Sequence, residues 1–112
     1  MPAEIDFPLT TILNESGTFT SDQNYTDLDA SDVRSLLVGL NVTSITGSSG
    51  VAVSVCGKGP DGNDQYELGR INTLDGQGVV VINGPIPAVL RVIVGLNGAS
   101  SATFAVWVIG QA

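Results

Sequence analysis

From Val33 to Thr46 the chain reads Val33-Arg-Ser-Leu-Leu-Val-Gly-Leu-Asn-Val-Thr-Ser-Ile-Thr46, and the period of its apolar residues decides the fold class. Leu36, Val38, Leu40 and Val42 alternate with Leu37, Gly39, Asn41 and Thr43, the two-residue repeat of a strand. Gly47-Ser48-Ser49-Gly50 ends the run as a turn. The next stretch, Val51 to Lys58, puts Val51, Val53, Val55 and Gly57 on one face and Ala52, Ser54, Cys56 and Lys58 on the other. Two such runs joined by a short turn predict a hairpin.

The same alternation extends in both directions. Downstream, Gly59-Pro60-Asp61-Gly62-Asn63-Asp64 is a turn, Gln65 to Ile71 a shorter strand, and Asp75-Gly76-Gln77-Gly78 another turn. Val79-Val80-Val81-Ile82 is β-branched but too short to assign by period, and the prolines of Asn83-Gly84-Pro85-Ile86-Pro87 mark an edge or corner. Ala88 to Leu96 and Ala102 to Ile109 alternate again and predict a terminal hairpin about the Asn97 to Ser101 loop. Upstream, Ile5 to Leu13 and Gly17 to Tyr25 are weaker strands, Pro8 placing the first at an edge or in an arm over residues 1–8. Asp29-Ala30-Ser31-Asp32 offers a start for one helical turn. Eight short strands predict an all-β domain, an antiparallel β-sandwich or jelly roll, filling residues 1–112 as one unit.

Composition agrees and removes several functions. Hydrophobic residues make up 43% of the 112 residues and charged ones 13%, which argues against disorder. Arg34, Lys58, Arg70 and Arg91 face eleven acidic residues, for a net charge of −7, so there is no basic stripe for nucleic acid. No run approaches the roughly 18 apolar residues of a membrane span. The start, Met1-Pro2-Ala3-Glu4-Ile5-Asp6, lacks the pattern of a signal peptide, so a cytosolic product is expected and glycosylation at Asn14, Asn24 or Asn41 is not. Cys56 stands alone and excludes an intrachain disulfide.

Catalytic and metal chemistry find little purchase. The chain has no His and no second Cys to set a base beside a nucleophile, and although eleven acids offer carboxylate pairs of the kind glycoside hydrolysis uses, three Phe, two Tyr and one Trp give no sign of an aromatic-lined cleft. Cys56 falls among small residues on a strand and reads as a packed, inert thiol. Asp61-Gly62-Asn63-Asp64 resembles part of a calcium loop, but lacks the spacing to a later bidentate acid and reads as a turn. Asp22, Asp27, Asp29 and Asp32 read as a solvated loop using Asp for turns and caps. No enzyme, metal or cofactor is expected.

If Leu90, Val92 and Val94 with Phe104, Val106 and Val108 face the core, then Ile93, Ala105, Trp107 and Ile109 lie on the opposite face of that terminal hairpin. An outward Trp beside two Ile residues is the kind of apolar patch that marks a protein interface, unless the Asn-rich amino-terminal segment or the carboxyl-terminal residues cover it within one chain. Ile5 and Phe7, in the arm, join the candidate interface residues.

The carboxyl-terminal half also carries a pattern: Val51-Ala-Val-Ser-Val-Cys56, then Gln65-Tyr66-Glu67-Leu68, then Gly84-Pro85-Ile86-Pro87 leading into Leu90-Arg91-Val92-Ile93-Val94. It closes with Asn97 to Ala102 and Thr103-Phe104-Ala105-Val106. Over Val33 to Ile109 this resembles the small β-sandwich structural proteins of tailed bacteriophages, among them head decoration or cement proteins. The resemblance implies a non-enzymatic virion component, made in the host cytoplasm and placed on the capsid surface. It implies a homo-oligomer, often a trimer, that binds the major capsid protein. Few aromatics at the hairpin leave a tail or fibre position open. The alternative is a carbohydrate-binding β-sandwich using Trp107, Tyr25 or Tyr66 as a stacking platform with Asp and Asn as partners.

Overall fold

A computed structural model of the chain describes residues 9–47, 50–58, 65–74 and 76–112. The regular elements among them are all strands: β1 (Leu9–Phe19), β2 (Gln23–Asp29), β3 (Ser35–Thr46), β4 (Val51–Lys58), β5 (Gln65–Leu74), β6 (Gln77–Asn83), β7 (Val89–Gly95) and β8 (Ser101–Gln111). They form two four-stranded antiparallel sheets, ordered β1-β8-β3-β6 and β2-β7-β4-β5. Lys58 stands opposite Gln65, Ser35 opposite Asn83, Gln23 opposite Val94 and Leu9 opposite Gln111. These pairs are nested about the connection from β4 to β5, so the chain is a single long antiparallel ribbon, doubled near its middle and rolled into two sheets. That arrangement is an eight-stranded jelly roll, the all-β sandwich that the alternation predicts.

The core is what the alternation buries. Val51, Val53 and Val55 of β4 and Leu90, Val92 and Val94 of β7 face Leu36, Val38, Leu40 and Val42 of β3 and Phe104, Val106 and Val108 of β8, all within a few per cent of complete burial. Phe104 also stacks on Phe19, ring centroids 4.6 Å apart and planes 29° apart. Branched and aromatic side chains suit this environment because they fill the pleated inner faces with little rotamer freedom to lose.

Both predicted hairpins are corrected by the sheet assignment. β3 and β4 lie in different sheets, as do β7 and β8. Alternation reports which side of a strand meets the core, and that side is the same whether the next strand pairs with it or crosses to the facing sheet. The Asn97-Gly98 turn adds to the ambiguity. Both residues take positive φ (54° and 92°), and the Ala99 N–H donates to the Leu96 carbonyl at 3.0 Å, the geometry of a type I′ hairpin turn. Here it serves a crossing: the Ser100 N–H donates to the Thr46 carbonyl at 2.9 Å, Asn97 Nδ2 to the Gly50 carbonyl at 2.8 Å, and the Leu96 N–H to Asp22 Oδ1 at 2.9 Å. The loops at this end are thereby tied across the two sheets.

Other boundaries move as well. β1 runs on to Phe19 through Asn14, Glu15 and Ser16, where a break was expected, because it is an edge strand whose polar side chains remain solvated while its backbone pairs with β8. β2 accordingly starts later, and no helical turn forms at Asp29 to Asp32, only a turn closed from Val33 N–H to the Ala30 carbonyl. Ile5, Phe7 and the expected arm over residues 1–8 lie outside the described residues, as does the stretch 59–64, where the sequence predicts a turn. Truncating Phe104 to Ala should destabilise the fold by about 3–5 kcal/mol, read as a lowered urea midpoint; a loss under about 1 kcal/mol would mean that Phe104 does not anchor the packing between the two sheets.

Candidate functional site

The outer face of β1-β8-β3-β6 is the surface most unlike the rest of the molecule. The four strands carry one charged residue, Glu15, and it pairs with the buried Val106, on the inward-facing side of an edge strand. Thr11, Asn14, Ser16 and Thr18 of β1, Thr103, Ala105, Trp107 and Ile109 of β8, Leu37, Gly39 and Asn41 of β3, and Gln77, Val79 and Val81 of β6 share the outward register. Four large apolar side chains in this sheet stand exposed: Leu9 at 68%, Val81 at 58%, Val79 at 52% and Leu37 at 36%. Leu9, Leu37, Val81 and Ile109, with Ser35 and Gln111, line a shallow groove of about 250 Å³.

Trp107 is seated at the middle of this face by a glycine. Gly39 is its cross-strand partner on β3, and a Cβ on Gly39 would lie 1.9 Å from Trp107 Cζ2. The indole therefore occupies the space a side chain would take, covering the backbone of β3 and lying half-buried. Asn14 is opposite it on β1, and Asn41 is one outward position along β3.

The other outer face, on β2-β7-β4-β5, is polar and wired. Glu67 accepts from Ser54 Oγ at 2.6 Å and Arg70 Nε at 2.7 Å, Asn24 accepts from Arg91 Nε at 2.6 Å, and Lys58 Nζ meets Asp27 at 2.9 Å. The hydroxyl of Ser54, and after it the Arg70 guanidinium, hold the Glu67 carboxyl below the usual carboxylate range. Ser54 and Arg70, with Ile93, Gly95 and Asn97, border an open cleft of about 150 Å³. Cys56 lies buried beside Ser54.

The predicted residues divide between these surfaces. Ala105, Trp107 and Ile109 share the charge-poor face, whereas Ile93 lies on the outer face of the other sheet, opposite Asn24 and Ser54. The shared face expected for Ile93 and Trp107 is corrected for the same reason as the hairpin. Tyr25 packs against the core, with its hydroxyl buried and its pKa raised by that burial and by Glu15, and Tyr66 stands exposed on β5 beside Gly57. The three candidate stacking aromatics thus occupy separate places. The Asp residues are used apart from one another: Asp22 caps the Leu96 N–H, Asp27 pairs with Lys58, and Asp29, whose pKa is lowered by the Ser31 side chain and then by the Ser31 N–H at 3.0 Å, shares only a small surface hollow with Asp32. Leu9, Leu37, Val79 and Val81 escaped the sequence reading. Their signals were two adjacent leucines and a run of four β-branched residues, which an alternating strand cannot bury together.

No family model and no curated protein matches the chain. Among solved structures, a mutant of CBM29-2, a family 29 carbohydrate-binding module, superposes with a TM-score of 0.51 at 6% identity, covering 95% of this chain and 92% of that one. A second CBM29-2 mutant, complexed with cellulohexaose, gives 0.51 at 8% identity over 96% and 93%. A chain of the infectious bursal disease virus Gt strain gives 0.48 at 13%, over 99% of this chain and 35% of that one. Likeness at these identities is of fold, a two-sheet β-sandwich, and of nothing finer.

Two outcomes check this geometry. Gly39→Val should unseat the indole, costing about 1–3 kcal/mol as an overpacked site does and red-shifting the fluorescence of the sole tryptophan; an unchanged spectrum would contradict the seat. In an acid titration followed by NMR, Ser54→Ala should raise the Glu67 midpoint toward the ordinary value and leave Asp29 where it was. Because both carboxyls are depressed, whatever stability they contribute is present at neutral pH and is lost as pH falls through and below the ordinary carboxylate range. A Glu67 midpoint unmoved by the substitution would assign its depression to Arg70 alone.

Proposed function

We propose that the chain is a non-catalytic structural subunit of the virion kind, a head decoration or cement protein or a related tail component, that works by protein–protein docking through the outer face of β1-β8-β3-β6. The observation that carries the reading is the charge-poor apolar character of that face in a chain of net charge −7. Exposed apolar surface rimmed by uncharged polar groups, here Thr11, Asn14, Thr103 and Gln77, is what protein contacts use. In a virion the major capsid protein is the natural larger partner, and repeated copies would turn modest contacts into high occupancy.

The carbohydrate-binding reading is the rival, and the fold likeness to CBM29-2 leans toward it. Its specific support in this chain is Trp107, held on an outer face with Asn14 and Asn41 near it. Against it stands the company Trp107 keeps. Sugar rings lay their C–H faces on flat aromatic rings and need hydrogen-bonding groups around them, whereas Leu9, Leu37, Val79, Val81 and Ile109 are branched aliphatics that offer neither.

Light scattering over a concentration series, paired with affinity electrophoresis against cellulohexaose and a glycan panel, separates the two. A discrete oligomer that no glycan retards is the expected result. A strict monomer retarded by a glycan, with the retardation lost in Trp107→Ala, would overturn the assembly reading in favour of the carbohydrate one.

A further inference from the structure

We infer that the partner seated on the β1-β8-β3-β6 face is a second copy of this chain, packed face to face about a two-fold axis. The inference rests on the assembly reading above and names the occupant of the same surface. It follows from where the charges lie, how large the face is, and what the opposite face contains.

Each copy carries a net charge of −7, so two copies repel wherever carboxylates approach within a Debye length, about 8 Å at physiological salt. Among the described residues, Asp27, Asp29 and Glu67 lie on strands of the other sheet and Asp22 and Asp32 on loops. Glu15 is on the inward side of β1. The outer face of β1-β8-β3-β6 is therefore the one broad surface of the described residues on which two copies meet without setting carboxylate against carboxylate.

The area suffices. Four strands spaced about 4.8 Å apart and about ten residues long at about 3.3 Å each present on the order of 650 Å² per copy, or roughly 1,300 Å² when two faces close. That falls within the range of roughly 1,200–2,000 Å² for specific interfaces. Its centre holds Trp107, the residue type most enriched at interface hot spots, with Leu37, Val79, Val81 and Ile109 around it.

The opposite face makes the contact isologous. A head-to-tail contact would press this apolar surface onto the outer face of β2-β7-β4-β5, stripping water from Glu67, Arg70, Lys58 and Asp27 and returning no new polar partner. Burying ion pairs against apolar surface costs more than it returns. Like face on like face avoids that cost, and a surface that meets itself closes as a dimer rather than a ring. The charged face stays outward in each copy, available to solvent or to a larger assembly.

The experiment is light scattering and sedimentation of the whole chain, wild type against Val79→Glu/Val81→Glu and against Tyr66→Glu, which alters an exposed apolar residue outside the face. Val79 and Val81 are more than half exposed, so the variant should keep its circular dichroism, while its Trp107 emission shifts to the red as the interface opens. The wild type should be a dimer that tightens as salt is raised, because salt screens the net repulsion and leaves the apolar contact intact. The double variant should dissociate with a constant at least about 100-fold higher, four carboxylates being forced into one interface, while Tyr66→Glu stays dimeric. A folded double variant that keeps its wild-type mass overturns this inference and leaves the assembly reading standing, with the self-contact elsewhere and this face left for the larger partner. A wild-type trimer overturns the two-fold arrangement, and a wild-type monomer at every concentration overturns both.

Discussion

Everything in this molecule depends on the register of β8. It is the strand through which β1 and β3 are joined, with ladders running its whole length on both sides, from Leu9–Gln111 to Phe19–Ala102 and from Ser35–Gln111 to Thr46–Ser101. Its side chains alternate without exception, Ala102, Phe104, Val106 and Val108 into the core and Thr103, Ala105, Trp107 and Ile109 outward. A one-residue slip would exchange the two sets, placing Trp107 in a core filled by valines and Phe104 in solvent. The same register that seals the sandwich therefore composes the candidate docking face. It also sets Trp107 opposite Gly39, the residue on β3 that leaves the indole room. Core and surface are two readings of one alignment.

That dependence explains what could be read from the chain and what could not. The inward residues of β3, β4, β7 and β8 were legible because a sheet with one dry face writes its burial into every second position. Which strands share a sheet was not legible, since β3 and β4 present matching inner faces whether they pair or oppose one another. In a jelly roll most consecutive strands oppose. The Asn97-Gly98 turn, a strong hairpin signal, misled for a related reason: it reverses the chain tightly, and Ala99 and Ser100 then carry it across to the other sheet. A wrong pairing moved Ile93 to the wrong surface while leaving Ala105, Trp107 and Ile109 together, because those three belong to a single strand and need no tertiary knowledge to share a face.

Of the face itself, less was visible. Leu37 and Val79 to Ile82 lay in stretches where apolar residues occupy both parities, and period alone gives no reason to send any of them outward. The clue was one of excess: strands that are apolar on both sides must either be covered on both or expose something. β6 is an edge strand of its sheet, and its outward valines are exposed. Apolar residues of this kind on a sheet edge are normally countered by Lys, Pro or a bulge, and none of these interrupts Gln77 to Asn83. A surface free of that protection fits a strand that is covered when the protein is at work.

The distribution of charge points the same way, because stability does not explain it. The ion pairs Lys58–Asp27 and Arg70–Glu67 lie on an open face with exposed side chains, where such pairs contribute about 0–1 kcal/mol each. The fold is held by the valine, leucine and phenylalanine contacts between the sheets, and these would be the same if a lysine or glutamate stood at position 79 or 81. Solubility alone would favour charges on both outer faces. Among the described residues the charges gather on one sheet and the loops, and the outer face of the other sheet carries none; the demands of the core do not account for that division.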